Sequence, residues 1–249
     1  MAFGLLALAF FVGTYGSIIG AGGGFVMVAG LVVVFDLSGA TAVGTSVLTT
    51  AAIQATGAYT YSRQGLVDRP AAMWFVVGSV PIAMLTAIFL ADRVPENTFE
   101  ALIGVLMLAL AVFVVVVRHR SAPDGAPLAP RRAALVGSGS AIGVLSGGFG
   151  VGAGLVAVPQ FGRLQRLSAH RAAATTTLAG ACSGLSASIG HAIANNPEWW
   201  ALPFTIVGAV LGGRLGASNA RRLSATVIRA LLALGLVAAG TPLVIGALR

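Results

Sequence analysis

Long apolar blocks fill this 249-residue chain, and short polar stretches separate them. A membrane-spanning helix needs about 20 predominantly apolar residues, and every block reaches roughly that length. The blocks cover residues 2–35, 40–62, 71–91, 98–117, 133–162, 172–194, 200–218 and 225–248. The pattern predicts an all-α polytopic membrane protein.

Two of the blocks, 2–35 and 133–162, are too long for one span, and each has a glycine cluster near its middle, at 20–24 and at 150–154. Glycine destabilises a helix by roughly 1 kcal/mol per residue relative to alanine. Irregular backbone at membrane depth survives only where protein or a polar cavity surrounds it. We therefore predict that each block folds as a hairpin of two short helices, the second beginning near Phe25 or Leu155.

The two halves of the chain repeat this pattern in a constant register. Each half, 1–117 and 133–249, has a glycine-broken hairpin followed by three predicted transmembrane helices, and a proline-containing linker at 118–132 joins the halves. The matched residues are Gly20, Gly22 and Gly24 with Gly150, Gly152 and Gly154, and Ala42, Thr45 and Ser46 with Ala172, Thr175 and Thr176. An odd number of crossings in each half predicts two inverted repeats, with a site at their interface near the midplane.

Charged residues make up only 9% of the chain, whereas a soluble domain carries about 25%. All fifteen basic residues are arginines, the net charge is +8, and the arginines lie at the ends of the apolar blocks. This placement indicates membrane topology and no nucleic-acid partner.

The topology prediction depends on whether the hairpins cross the membrane. If each hairpin returns to its own side, one side of the membrane holds Arg63, Arg69, Arg118, Arg120, Arg131, Arg132, Arg163, Arg166, Arg171, Arg221 and Arg222. The positive-inside rule then predicts a multi-pass protein of the inner cell membrane, with linker 118–132 cytoplasmic and both termini outside.

The order of the motifs resembles that of a known family. The first copy consists of residues 20–24 and the segment Ala42-Val43-Gly44-Thr45-Ser46, and a weaker second copy ends at His191. In this order the chain resembles the TauE/SafE family of sulfite exporters, from about Gly16 to its end. The resemblance implies export of sulfite or small organosulfur anions across the inner membrane. The chain departs from the family pattern at Ala29-Gly30, where proline often follows the first glycine motif.

A sulfur oxyanion is rich in acceptor oxygens, so its binding site needs hydrogen-bond donors. Helix N-termini supply N–H groups and partial positive charge, and glycine lets an anion approach the backbone closely. We therefore expect two facing anion cradles at the glycine breaks, made by Gly22, Gly23 and Gly24 in the first half and by Gly152 and Gly154 in the second. The alternative is that glycines only allow close helix packing, which we favour for the glycines of 208–216.

Four hydroxyls and one amide are further substrate-binding candidates. The hydroxyls belong to Thr45, Ser46, Thr175 and Thr176, which open the helices after the hairpins in both halves, and the amide belongs to Gln54. The alternative for the hydroxyls is helix capping or a hydrogen bond to a backbone carbonyl of the same helix. An amide deep in an apolar helix is costly without partners, which makes Gln54 a candidate for lining the path.

Titratable residues are informative mainly by their absence from the predicted spans. No carboxylate falls mid-span, although proton and cation pumps usually keep one there. His191, near the end of block 172–194, is the candidate coupling group, and the alternative is an interfacial or capping histidine. The single cysteine, Cys182, excludes an intrachain disulfide and a cysteine-based metal cluster. No metal, cofactor or catalytic residue is expected.

Together with the family resemblance, these features predict a carrier that moves a small sulfur-containing anion by alternating access, with one half rocking against the other around the two hairpins. A passive anion channel would share the hairpins, and a non-transporting scaffold would share the spans without explaining the matched glycine breaks. An enzyme is not expected, because no nucleophile–base pair and no metal-ligand motif is present in the sequence. The expected partners are the anion and membrane lipid, and the glycine-rich helix faces leave a homodimer open.

Overall fold

The structure is a computed structural model that describes residues 1–20, 22–90, 96–116, 131–150, 154–220 and 223–247. Within these ranges the regular elements are helices, so the all-α prediction is confirmed. They are α1 (Ala2–Ile19), α2 (Gly24–Phe35), α3 (Gly39–Arg63), α4 (Arg69–Phe89), α5 (Glu96–Val116), α6 (Arg132–Phe149), α7 (Gly154–Leu164), α8 (Ala169–Ile193), α9 (Leu202–Asn219) and α10 (Ala225–Ala247). The helix bounds lie close to those of the predicted blocks, and most of linker 118–132 lies outside the described residues.

The two long blocks each break into two helices at the glycine cluster, as predicted. The chain reverses after α1 through Gly20, Gly22 and Gly23, whose φ angles of 70°, 77° and 74° lie in the left-handed region that favours glycine. Helix α2 then runs back along α1, because a Cβ on Gly30 would touch Leu8. The second block breaks between α6 and α7, where Gly150 has a φ of 64°, and its Gly152 lies outside the described residues.

Helices α3 and α8 cross in antiparallel directions at the centre of the molecule. Gly57 of α3 faces Thr177 of α8, and further along the pair Ala51 faces Gly184. The small residues let the two backbones approach closely. Both helices have 25 residues and place many hydroxyls in the interior. The buried polar residues on the two helices include Thr45, Ser46, Thr49, Thr50, Gln54, Thr175, Thr176, Thr177 and Ser183.

Two further pairs of helices flank this crossing, α1 and α9 beside α3, and α4 and α6 beside α8. Helix α9 runs parallel to α1, since residue numbers increase in the same direction along both helices. The contacts are those of Gly208, Gly212 and Gly216 with the backbone carbonyls of Leu6, Phe10 and Thr14, in that order. This register confirms the packing interpretation for the glycines of 208–216. Helix α6 runs parallel to α4 in the same manner, with Gly139, Gly143 and Gly147 against Phe75, Ser79 and Ala83.

The helices therefore form two groups of opposite direction. The first bundle, which consists of α1, α3 and α9, runs one way, because Thr45 and Thr49 of α3 hydrogen-bond Glu198 and Thr205 in the same order. The second bundle, which consists of α4, α6 and α8, runs the other way. Each bundle contains helices from both halves of the sequence, and the bundles meet where α3 crosses α8.

The outer surface of the molecule is apolar. Four helices of the described part are long and apolar enough to cross a membrane: Ala2–Ile19, Arg69–Phe89, Thr98–Val116 and Thr226–Ala247. Helices α5 and α10 pack against each other through Gly104 and Gly240 and expose large side chains such as Val112 and Leu234. These features are those of a multi-pass membrane protein, whose lipid-facing surface is apolar.

Backbone features recur in the same register as the sequence repeat. Gly20 and Gly150 both end the first arm of a hairpin with a positive φ. Two further pairs of matched residues end other helical segments in the left-handed region, namely Asp36 with Arg166 and Gly65 with Asn195. The recurrence extends the sequence repeat to local backbone conformation.

Candidate functional site

The two glycine breaks meet at the centre of the molecule. A Cβ on Gly24, the first residue of α2, would collide with the carbonyl oxygen of Gly150, the last residue before the second break. Gly150 in turn packs against Val43 and Val47 of α3. Gly20, on the other side of the first break, packs against Ala173 of α8. The fold therefore brings the first predicted cradle next to Gly150, the residue before the second break, and two facing anion cradles stay a prediction.

The N-terminus of α2 offers backbone donors at this meeting point. Gly23 caps the helix, and its carbonyl accepts hydrogen bonds from the N–H groups of Val26 and Met27 at 3.0 and 3.1 Å. The N–H groups of Gly23, Gly24 and Phe25 have no acceptor among the described residues. Free N–H groups and the positive end of the helix dipole are what an anion requires.

Gln54 of α3 extends toward the first break. Its side chain is only 2% exposed and fits between the break and α8, with Nε2 2.9 Å from the Cβ position of Gly22 and Oε1 against Gly180. Oε1 has no hydrogen-bond partner among the described residues. An unpaired buried polar atom destabilises the folded state by roughly 1–3 kcal/mol. Packing alone therefore does not explain why an amide occupies this position.

The hydroxyls of Ser46 and Thr176 occupy matching positions in the repeat but differ in their hydrogen bonding. Ser46 Oγ donates to the carbonyl oxygen of Gly24 at 3.0 Å, which fixes the break against α3. Thr176 Oγ1 is fully buried and has no partner in the described part of the chain. Thr176 therefore has an unused donor in the interior of the protein, whereas Ser46 already donates its proton to Gly24.

Thr45 and Thr175 hold loops of the opposite half of the chain. Thr45 Oγ1 accepts the backbone N–H of Glu198 at 2.8 Å, and Thr175 Oγ1 accepts that of Asp68 at 3.0 Å. Asp68 and Glu198 themselves correspond to each other in the repeat, so the same tie is made twice. The sequence did not predict these two hydrogen bonds, because the hydroxyl motif does not reveal which loop will lie beside it. A ligand-binding role for Thr45 and Thr175 stays a prediction.

His191 is fully buried and uses both ring nitrogens. Its Nε2 lies 2.8 Å from the carbonyl oxygen of Gly147, and its Nδ1 lies 3.2 Å from Nδ2 of Asn196. A carbonyl can only accept, so Nε2 donates, and Nδ1 accepts from the amide. This pattern fits a neutral imidazole.

The residue that corresponds to His191 in the first half is Tyr61. Its hydroxyl makes the matching hydrogen bond to the carbonyl oxygen of Ser17 at 3.1 Å, so the position has a structural use in both halves. A coupling role stays a prediction.

Other buried hydroxyls join helices within a bundle and were not predicted. Ser79 of α4 and Ser183 of α8 lie 2.6 Å apart, and Thr49 of α3 lies 2.9 Å from Thr205 of α9. No sequence signal identifies such pairs, because only the packing brings their helices together. No cluster of three or more histidine, cysteine or acidic side chains suited to a metal ion occurs among the described residues.

Comparison with known proteins places the chain among membrane transporters. A family model described as Sulfite exporter TauE/SafE matches residues 5–243. The chain is 27% identical over 263 residues to the probable membrane transporter protein YunE of Bacillus subtilis (strain 168), an alignment that covers 96% of each chain. It is 25% identical over 241 residues to the probable membrane transporter protein YdhB of the same organism, covering 95% of this chain and 97% of the relative. No solved structure matches the chain significantly.

Proposed function

Because the chain belongs to the TauE/SafE sulfite exporter family, we propose that it exports a small sulfur-containing anion, either sulfite or a related organosulfur anion, across the inner cell membrane. The family and the names of the relatives indicate a membrane transporter rather than an enzyme. The substrate class comes from the family description, and the chemistry of the centre is compatible with it.

The observation that supports an anionic substrate most is a set of unused polar atoms at the first glycine break and on the adjoining segment of α8, between Ala173 and Gly180. The N–H groups of Gly23 and Gly24, Oε1 of Gln54 and Oγ1 of Thr176 lack partners among the described residues. The two N–H groups and the Thr176 hydroxyl can donate to an anion, whereas Oε1 of Gln54 can only accept. The described residues place no carboxylate beside these donors. We assign these groups to the substrate site.

We further propose that the two halves are inverted repeats. The repeat-equivalent helices α3 and α8 cross in antiparallel directions, and so do α5 and α10, since Gly104 faces Val244 while Leu108 faces Gly240. The equivalent pairs α1 with α9 and α6 with α4 are both parallel. A two-fold axis in the membrane plane would produce this pattern, and it places the site near the midplane.

The direction of the helices also supports the proposed topology. Arg63 ends α3, whereas Arg69 and Arg132 begin α4 and α6, which run the opposite way. All three arginines therefore lie at one end of the molecule. We propose that this end, together with linker 118–132, is cytoplasmic.

Alternating access would then be a movement of the first bundle against the second. The two halves of the sequence interlock, since α1 packs on α9 and α4 packs on α6 through glycine contacts. Rocking of residues 1–117 against 133–249 as rigid bodies would break both of these contacts. Rocking of the two bundles at the α3–α8 crossing preserves them and moves the helices that hold Gln54 and Thr176.

The experiment is flux of sulfite into proteoliposomes that hold the purified protein, with sulfate and a small carboxylate as comparison anions. Saturable sulfite flux that shows counterflow supports the carrier, whereas single-channel currents would indicate the passive channel. No flux of any sulfur anion from a folded, inserted protein would overturn the proposal and leave the scaffold interpretation.

A further inference from the structure

A groove of about 770 Å³ lies between α3 and α9 on the outer face of the first bundle. Its walls include the apolar side chains of Ala55 and Val210, and its arginine-rich end holds Arg63 and Arg214. Val207 and Leu211 beside it are about half exposed, so the groove opens toward lipid. It is distinct from the central site, since the neighbouring Gln54 is buried against Gly180 on another face of α3.

The two arginines supply cationic donors without a counter-charge. Arg63 donates from Nε and Nη2 to the hydroxyl oxygen of Tyr59 at 3.2 and 3.1 Å, and its guanidinium lies 5.5 Å from the ring centroid. These contacts hold Arg63 at the groove and leave the Tyr59 O–H free to donate to a ligand. No carboxylate of the described residues pairs with Arg63 or Arg214.

The repeat shows that the fold itself does not require these charges. The matching positions on α4 and α8 are apolar: Ile189, Ile193, Met84 and Ile88 stand where Tyr59, Arg63, Arg214 and Ser218 stand here. There the two helices also pack closely, because a Cβ on Gly190 would lie 2.7 Å from Ala87 Cβ and from the carbonyl oxygen of Met84. Thr60 stands at the position that matches Gly190, and the larger residue leaves α3 and α9 apart. The polar groove is therefore a feature of the first bundle and of one end of the molecule.

An amphiphile with an anionic head group fits a lipid-facing groove that has apolar walls and a cationic end. We propose that this groove binds an anionic glycerophospholipid, with the phosphodiester against Arg63 and Arg214 and an acyl chain along Ala55 and Val210. Basic pockets between transmembrane helices on the cytoplasmic side bind such head groups. Gln64 also lines the groove, and its Oε1 is buried without a partner among the described residues, so a rotation of the side chain would let a head-group hydroxyl donate to it. Phosphatidylglycerol is the probe that supplies both groups.

The test is native mass spectrometry of the full-length protein in a neutral detergent, titrated with phosphatidylglycerol or with phosphatidylcholine of the same acyl chains. We expect phosphatidylglycerol to bind about tenfold or more tightly, since each arginine near the membrane surface contributes about 1 kcal/mol. The double variant R63Q/R214Q should reduce that preference to near unity. The matched control is R69Q, which removes an exposed arginine from the same end but outside the groove.

A second variant keeps the test independent of charge and folding. Val210→Trp fills the groove from its exposed wall without removing an arginine, and it should weaken phosphatidylglycerol binding while leaving the melting temperature in lipid-free detergent unchanged. An unchanged preference in R63Q/R214Q would overturn the proposal. Binding of free glycerol phosphate as tightly as the lipid, lost in the same variant, would also overturn it and identify a site for a soluble anion. A dimer that dissociates in Val210→Trp without any lipid preference would assign the groove to a second copy of the chain.

Discussion

Single buried polar atoms distinguish the parts of the candidate site that have structural partners from those that do not. Thr45 and Thr175 accept backbone N–H groups of loops, so their removal would leave those N–H groups unpaired, and Ser46 donates to the carbonyl oxygen of Gly24. Thr176 and Gln54 each keep an atom without a described partner. A structural role and a ligand-binding role therefore predict opposite effects on stability for these two groups of residues.

Thr176→Val tests this distinction with almost no change in shape. Removal of an unpaired buried hydroxyl should leave the melting temperature unchanged or raise it. If the hydroxyl binds the anion, the KM for flux should rise by about ten- to 150-fold, which corresponds to a hydrogen bond to a charged group of roughly 1.5–3 kcal/mol. Flux in proteoliposomes and thermal unfolding in detergent are measured on the same preparation. An unchanged KM in Thr176→Val would show that Thr176 is not part of the substrate site. The control is Thr241→Val on the exposed face of α10, which should leave the KM unchanged.

The hairpin break is the element whose conformation depends most on glycine. Gly23 combines a φ of 74° with contacts to Val12, where a Cβ would lie 2.9 Å from both Cγ1 and the carbonyl oxygen. We expect Gly23→Ala to destabilise the protein by about 1–3 kcal/mol from backbone strain and overpacking. Loss of flux in this variant alone therefore does not identify an anion cradle.

Gly137→Ala is the matched change in a helix. A Cβ at Gly137 meets nothing within 4 Å, and alanine favours the helix by up to about 1 kcal/mol. Its melting temperature should stay the same or rise, with normal flux. A Gly23→Ala protein as stable as Gly137→Ala would contradict the strained hairpin, and loss of flux from such a protein would support the cradle directly.

The ties between loops and helices form a second group of element-scale interactions. Thr45→Val and Thr175→Val each leave a loop N–H without its acceptor, and each should destabilise the protein by about 1–3 kcal/mol. The two sites hold separate loops, so the losses should add in the double variant. Thermal unfolding measures the loss, and the KM for flux should stay close to that of the native chain. A raised KM with native stability would restore both threonines to the substrate site.

The hairpins could be predicted from the sequence, whereas the hydrogen bonds from the loops to Thr45 and Thr175 could not. Glycine clusters inside blocks too long for one span leave the chain few alternatives, because a bilayer admits irregular backbone only where protein surrounds it. The partners of Thr45 and Thr175 depend on which loop the fold brings to each helix. Gln54 was predicted from the cost of burying an amide, but its position between Gly22 and Gly180 required the packing of α3 on α8.

At the scale of the whole molecule, the interlocking of the halves decides which bodies can move. The repeat in the sequence suggests two halves that rock against each other, but helix packing assigns α1 and α9 to one bundle and α4 and α6 to the other. The sequence could not reveal this, since a repeat identifies equivalent helices and not their neighbours. The α3–α8 crossing is the contact that links the two bundles at the candidate site.

A covalent link across this crossing should stop a carrier and spare a channel. The Cβ position of Gly184 lies 3.3 Å from Ala51 Cβ, so Ala51→Cys with Gly184→Cys in a Cys182→Ser background can be joined by a short bifunctional reagent. A thioether-forming reagent is needed because sulfite cleaves disulfides. If the protein is a carrier, linking the two residues should abolish most of the flux.

The matched control links two residues within the second bundle. Ser79 and Ser183, whose hydroxyls lie 2.6 Å apart, are both replaced by cysteine, and linking them should preserve flux. Full flux through the Ala51–Gly184 link would contradict bundle rocking and favour a continuous pore, because a pore does not need the two bundles to separate.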